Sequence, residues 1–196
     1  MNALTKPAGK RLNLPGGLIF SIEYNRYLMG SEPASLSPFP ILGAEFPLKL
    51  PGETTLPGWR IEATITSPSA VKGKPEGALA PSETITLLPL IKGKEIKGIG
   101  LRNNLFTAYF DRDKTGDKLL VRPRQPGDRF QPLGMSQPKK LGEFMIDAKI
   151  PAAWRQRIPL VCSPQHILWV VGWRIDERVK VTNTTKQVLC LKFERD

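Results

Sequence analysis

Apolar and polar residues alternate with period two along several short stretches of this 196-residue chain. Leu18, Phe20, Ile22 and Tyr24 do so first, and Asn25-Arg26 is placed to turn the chain back through Tyr27 to Met29. Alternation of this kind predicts a half-buried strand with its apolar side chains turned inward, here one arm of a hairpin. Phe46, Leu48 and Leu50 alternate next, then Trp59, Ile61, Ala63 and Ile65. They predict two strands joined by a loop from Pro51-Gly52 to the Pro57-Gly58 corner. Trp59 heads an alternating run, which places it in the core rather than on the surface as a stacking platform. Further strands are expected around Ile85–Leu88, over residues 105–111, 118–123, 159–162 and 167–173, and at the end of the chain. In the last of these Val188 and Cys190 face inward, with Leu191 or Phe193 as further candidates.

The period changes to that of a helix in one place. Leu141, Phe144, Met145 and Ala148 share a face, and Pro151 ends that helix and can begin another that turns Trp154 inward. Proline and glycine number 19 and 17, and they punctuate residues 31–44, 67–82 and 92–104 as connectors without helix. The pattern is α+β and strand-dominated, with one or two short helices placed late and no βαβ rhythm. Residues 1–116 read as a β-rich portion with proline- and glycine-rich loops, and 117–196 as a basic α+β domain; the two can also form one compact unit.

Charge changes the picture. The net charge of +11 is divided unevenly: residues 1–117 carry 14 basic and 11 acidic side chains, residues 118–196 carry 15 and 7. A balance of +8 on the last 79 residues points to a polyanion, and to nucleic acid before membrane because no basic amphipathic helix of useful length is present. No apolar run reaches the ~18 residues of a membrane span, and the N-terminus has no apolar core of signal-peptide length. The two cysteines, Cys162 and Cys190, suit free thiols in a cytoplasmic protein.

Candidate chemistry is sparse. His166 is the only histidine and has no acidic neighbour closer in sequence than Asp176, so no nucleophile–base pair is visible. One histidine and two distant cysteines make no common zinc site, and neither type of glycine-rich phosphate cradle occurs. Asp128, Asp147, Asp176 and Glu177 each lie near arginines or lysines. Structural ion pairs explain them more simply than acid–base work.

One stretch concentrates the positive charge. In RPRQPGDRFQPLGMSQPKKLGEFM, from Arg122 to Met145, three arginines are interrupted by Pro123, Pro126 and Gly127, and Lys139-Lys140 open the expected helix. A turn rich in proline holds guanidinium forks that stay charged and match phosphate geometry. Fixed cations with few displayed aromatics suit a duplex backbone better than unpaired bases, and A-form RNA is read largely through such contacts.

VRPRQPGDRFQPLGM, KKLGEFMIDAKIPAAWR and ILWVVGWRIDERVKVT resemble the C-terminal domain of bacterial tRNA(Ile)-lysidine synthases, and GKRLNLPGGL, LPGETTLPGW and LFTAYFD do so less tightly. The resemblance runs from about Gly9 to Phe193. It implies a sandwich-like module, also found in the phenylalanyl-tRNA synthetase β-subunit, that recognises the tRNA acceptor stem. It also implies an ATP-dependent ligase that joins lysine to the wobble cytidine of a minor isoleucine tRNA. The catalytic site of that family lies in an N-terminal ATP-pyrophosphatase domain carrying Ser-Gly-Gly-x-Asp-Ser, and no such loop occurs here. This chain is therefore expected to hold tRNA without catalytic residues, cofactor or metal of its own, ATP and magnesium belonging to the full-length enzyme. Arg122, Arg124, Arg129, Lys139 and Lys140 would contact phosphates or riboses, with Arg155, Arg157, Arg174, Arg178 and Lys180 as second-rank candidates for such contacts, and Asp128 would orient the loop. A basic module that docks on a separate catalytic chain is the competing expectation.

Overall fold

A computed structural model describes residues 10–24, 26–71 and 106–195. The lead-in before Lys10, the strand expected around Ile85–Leu88 and the lysine–glycine linker after it lie outside the described residues. Among those described, strands dominate. β1 (Lys10–Leu14), β2 (Leu18–Glu23) and β3 (Arg26–Gly30) form an antiparallel meander. A five-stranded antiparallel sheet follows the order β13-β12-β11-β8-β4, built from β4 (Phe46–Pro47), β8 (Leu120–Arg122), β11 (Leu160–Cys162), β12 (Ile167–Val170) and β13 (Arg174–Ile175). A four-stranded sheet has the order β5-β6-β14-β7, from β5 (Gly52–Leu56), β6 (Trp59–Thr66), β7 (Thr107–Asp111) and β14 (Val188–Arg195). β9 (Arg129–Phe130) and β10 (Lys139–Lys140) make a two-stranded ribbon, and the helices α1 (Arg112–Thr115) and α2 (Leu141–Asp147) are short.

Alternation explains most of this. In β6, Trp59, Ile61 and Ala63 are buried while Arg60, Glu62 and Thr64 point out. β14 pairs with β6 on one side and β7 on the other, turning Leu189, Leu191 and Phe193 inward. The five- and four-stranded sheets meet through aromatic edges: Trp169 of β12 lies 5.3 Å from Phe193 and 6.1 Å from Phe110 of β7. Two antiparallel sheets closed over such a core make a sandwich. Both sheets draw strands from either side of residue 116, so they knit the two portions of the chain together.

Four details differ from the sequence pattern. Gly52–Leu56 is a strand and not a loop, because Pro57-Gly58, with Gly58 at φ +71°, closes a tight hairpin onto β6. Residues 152–157 make successive turns rather than a second helix, although Trp154 is buried as expected. Cys190 is only half-buried, since Leu189 and Leu191 take the inner face. The connector 31–44 includes a short 3-10 turn at Pro33–Leu36 and supplies core: Leu36, Phe39 and Leu42 are buried, and Phe39 packs against Trp59, Phe106, Trp154 and Trp173.

Candidate nucleic-acid interface

The arginine-rich loop leaves the middle of the five-stranded sheet at the end of β8. Pro126-Gly127 forms its turn, with Gly127 at φ +84°, the positive value that a type II turn demands at its third residue. Asp128 closes it. Its Oδ1 accepts from Arg122 Nη2 at 2.7 Å, and its Oδ2 accepts from Arg122 Nη1 at 2.9 Å and from the Gln125 backbone N–H at 2.8 Å. Asp128 also offers its backbone carbonyl to the Leu141 N–H at 2.8 Å, which fixes the start of α2. The carboxylate beside Arg122 holds that guanidinium above its ordinary pKa, against the opposing effect of burial.

A second carboxylate braces the next turn. Asp176 is fully buried, and accepts from the Gln131 N–H at 2.8 Å while forking with Arg178 through two bonds of 2.8 Å. Its neighbour Glu177 accepts from the Gly134 N–H at 2.8 Å and pairs with Lys180. The Gly134 bond, then Lys180, hold the Glu177 carboxyl below its usual range. Gln131–Gly134 are thereby tied to β13 and the turn that follows it.

These braces revise the set of candidate RNA-binding cations. Arg122, Arg178 and Lys180 face Asp128, Asp176 and Glu177 in internal ion pairs, and Lys139 pairs with Asp147. Arg122, 13% exposed, is committed to closing its loop, whereas Arg178, Lys180 and Lys139 brace their carboxylates with 42%, 44% and 25% of their side chains still in solvent. Arg155 is committed elsewhere: its Nε donates to the Ile150 carbonyl at 2.9 Å and its Nη2 to the Tyr24 hydroxyl at 3.1 Å, linking the 152–157 turns to the meander. Arg157 is half-buried on the same turns.

Three cations remain grouped. Arg129 and Lys140 stand opposite each other across the β9–β10 ribbon, with their neighbour Phe130 fully buried beneath. Arg129 spends one nitrogen on the Pro138 carbonyl at 3.1 Å, and Lys140 lies 3.9 Å from Glu143, a pairing in open solvent worth little. Arg124 lies across α2: a Cβ added to Gly142 would stand 2.8 Å from its Nη2. Arg124 has no ion pair among the described residues, and neither has Arg174 on β13. The sequence carried no sign of the glycine that lets Arg124 lie flat, nor of the Tyr24–Arg155 bond, because both depend on residues brought together by the fold.

Beside the loop, facing the turn Ser163–His166, is an open cleft of about 480 Å³ lined in part by Gly127, Arg129, Cys162, Pro164 and Gln165. Burial pushes the Cys162 thiol up to about 12 despite the nearby Arg122, so it stays protonated near neutrality. Burial, with Arg178 adding to it, lowers His166, which is neutral at pH 7.

The family model for the TilS substrate C-terminal domain matches residues 119–191. Those residues are similar to a lysidine-synthase C-terminal domain. Over 193 residues the chain is 39% identical to the tRNA(Ile)-lysidine synthase of Dehalococcoides mccartyi, covering 98% of this chain and 35% of that protein. Over 201 residues it is 33% identical to the corresponding synthase of Caldanaerobacter subterraneus, covering 100% of this chain and 36% of that protein. The chain thus spans about a third of the length of these curated relatives. A crystal structure of a TilS C-terminal domain shares the fold, with a TM-score of 0.54 at 24% identity over 78% of this chain and 96% of the other. Both carboxylate braces and the Arg124–Arg129–Lys140 group lie inside the matched lysidine-synthase span, whereas the meander β1–β3 precedes it.

Proposed function

We propose that this chain is the tRNA-holding portion of a cytoplasmic tRNA(Ile)-lysidine synthase, and that its braced loop lies along a duplex arm of the tRNA, the acceptor stem. The observation that carries this reading is the group Arg124, Arg129 and Lys140, none of them in a buried ion pair, held beside a turn and ribbon that two internal carboxylates brace. Fixed cations meet phosphates without first losing conformational freedom, and the release of condensed counterions then supplies affinity. The group reads backbone shape and not base identity, as suits an A-form helix whose major groove is closed to side chains. In this reading, attachment of lysine to the wobble cytidine takes place in a part of the enzyme outside this sequence. No step that uses ATP or magnesium is assigned to residues of this chain.

The test is direct binding. Purified chain is titrated into fluorescently labelled tRNA, and separately into a DNA duplex of the same length, at several salt concentrations. Binding to tRNA that weakens linearly on a log–log salt plot and exceeds binding to B-form DNA supports the assignment. Absence of any shift with tRNA at low salt would overturn it.

A further inference from the structure

The meander β1–β3 packs on the body by the face opposite to the one its sequence favours. In β2, Ser21 and Glu23 are 0% and 2% exposed, turned inward with Ile19 and Leu28 of β3. Glu23 accepts from the Ser21 hydroxyl at 3.1 Å and the Ala152 N–H at 3.3 Å, so the inner face is latched by polar contacts. The alternating apolar set lies on the opposite face, where Ile22 is only 4% exposed and the residues around it are more open. Cross-strand register places Leu12, Phe20 and Met29 in one row, Leu14 beside Leu18, and Ile22 beside Tyr27. Leu14, Leu18 and Tyr27 remain 38%, 37% and 49% exposed, and the rings of Phe20 and Tyr27 stack at 5.7 Å on this outer side. An antiparallel sheet with one solvated face ordinarily turns its polar residues outward. Here the outer face is apolar on all three strands, with Lys10 at its edge.

We propose that this face is the docking surface for the part of the lysidine synthase that precedes the C-terminal domain. Contiguous apolar surface of this kind marks a protein interface, and its lack of fixed cations makes it a poor seat for RNA. The curated relatives have about two thirds of their length outside the span matched by this chain. The matched family and the solved structure are both C-terminal domains by description, which puts that remaining length upstream. The meander is the first described element of the chain and lies ahead of the matched domain. It is therefore the described element nearest in sequence to an upstream portion. Latching by Glu23 and by Tyr24–Arg155 keeps the sheet rigid, so docking on it would set the angle between the loop that holds RNA and the rest of the enzyme.

The test uses this chain and the full-length Dehalococcoides mccartyi synthase, both without RNA, so that its outcome is independent of tRNA binding. A photoactivated carbene labels solvent-facing side chains of any type, and labelling of residues 12–29 is compared with the aligned stretch of the full-length protein. The expected result is ready labelling in dilute chain and labelling several-fold lower in the full-length synthase. Equal labelling in the two proteins would overturn the proposal. So would protection already present in dilute chain, which would mean that another segment of the same chain covers the face. Protection that appears only with rising chain concentration, together with a doubled mass in sedimentation, would assign the face to a second copy and overturn it as well.

Discussion

Arg122 and Asp128 meet as a two-bond fork, Nη2 to Oδ1 at 2.7 Å and Nη1 to Oδ2 at 2.9 Å, with their side chains only 13% and 9% exposed. The pair closes the loop rather than offering a guanidinium to a ligand. Asp128→Ala leaves Arg122 without its charge partner and the Gln125 N–H without its acceptor. The expected destabilisation is about 2–4 kcal/mol, toward the lower part of the range for a broken buried pair because both groups keep some access to solvent. Urea denaturation measures it, and a change below about 0.5 kcal/mol, the scatter of ordinary surface substitutions, would rule out the brace.

Arg124, Arg129 and Lys140 are expected to behave differently. Replacing all three by alanine should leave the denaturation midpoint nearly unchanged and weaken tRNA binding. The log–log salt slope should fall by about one for each phosphate that the variant no longer neutralises. Arg178→Ala should do the reverse, costing stability because the buried Asp176 is left uncompensated. Anisotropy titrations at several salt concentrations separate the two classes. If the triple substitution leaves affinity and slope intact, the interface lies elsewhere.

Gly142→Ala tests how Arg124 is placed. The added methyl would stand 2.8 Å from Arg124 Nη2, at the flexible end of that side chain, so the guanidinium can move aside. Alanine is the better helix former by up to about 1 kcal/mol, and stability should hold or rise slightly. Affinity for tRNA should nevertheless drop, because Arg124 is displaced from its place across the start of α2. Unchanged affinity would show that its pose over α2 is unimportant.

His166 and Glu177 contribute to the response to acid, as does Glu194, which Lys192 and then Arg60 hold below its usual range. His166, the only histidine, has a folded pKa below its ordinary 6.5, and Glu177 has one below its ordinary 4.5. In both cases the unfolded chain takes up the proton first as pH falls. Stability is therefore complete above the ordinary value and declines from there toward the folded value. We expect a decline that begins near pH 6.5 and a further one below 4.5. His166→Gln should abolish the first, as read from urea midpoints across pH. A stability that rises between about pH 6.5 and 5 in the native chain would contradict the assignment.

Elements whose instructions are local could be read from the order of residues alone. Trp59, Ile61 and Ala63 alternate and are buried in alternation, Pro126-Gly127 makes the turn it spells, and Leu141 with Met145 sets the buried face of α2. The centre of positive charge at residues 122–145 was equally legible, since composition needs no neighbours in space to be read. Which of those charges stay open was settled by folding. Asp176 lies 45 residues from Gln131, and Arg155 lies 131 from Tyr24, yet each pair is joined by a hydrogen bond. An ion pair is set by distance in space, and a one-dimensional pattern records no such distance. The meander makes the same point in reverse: Leu18, Phe20 and Ile22 announce one buried face, yet only Ile22 is buried while Ser21 and Glu23 turn to the body, because contacts with distant residues such as Ala152 decide which face packs.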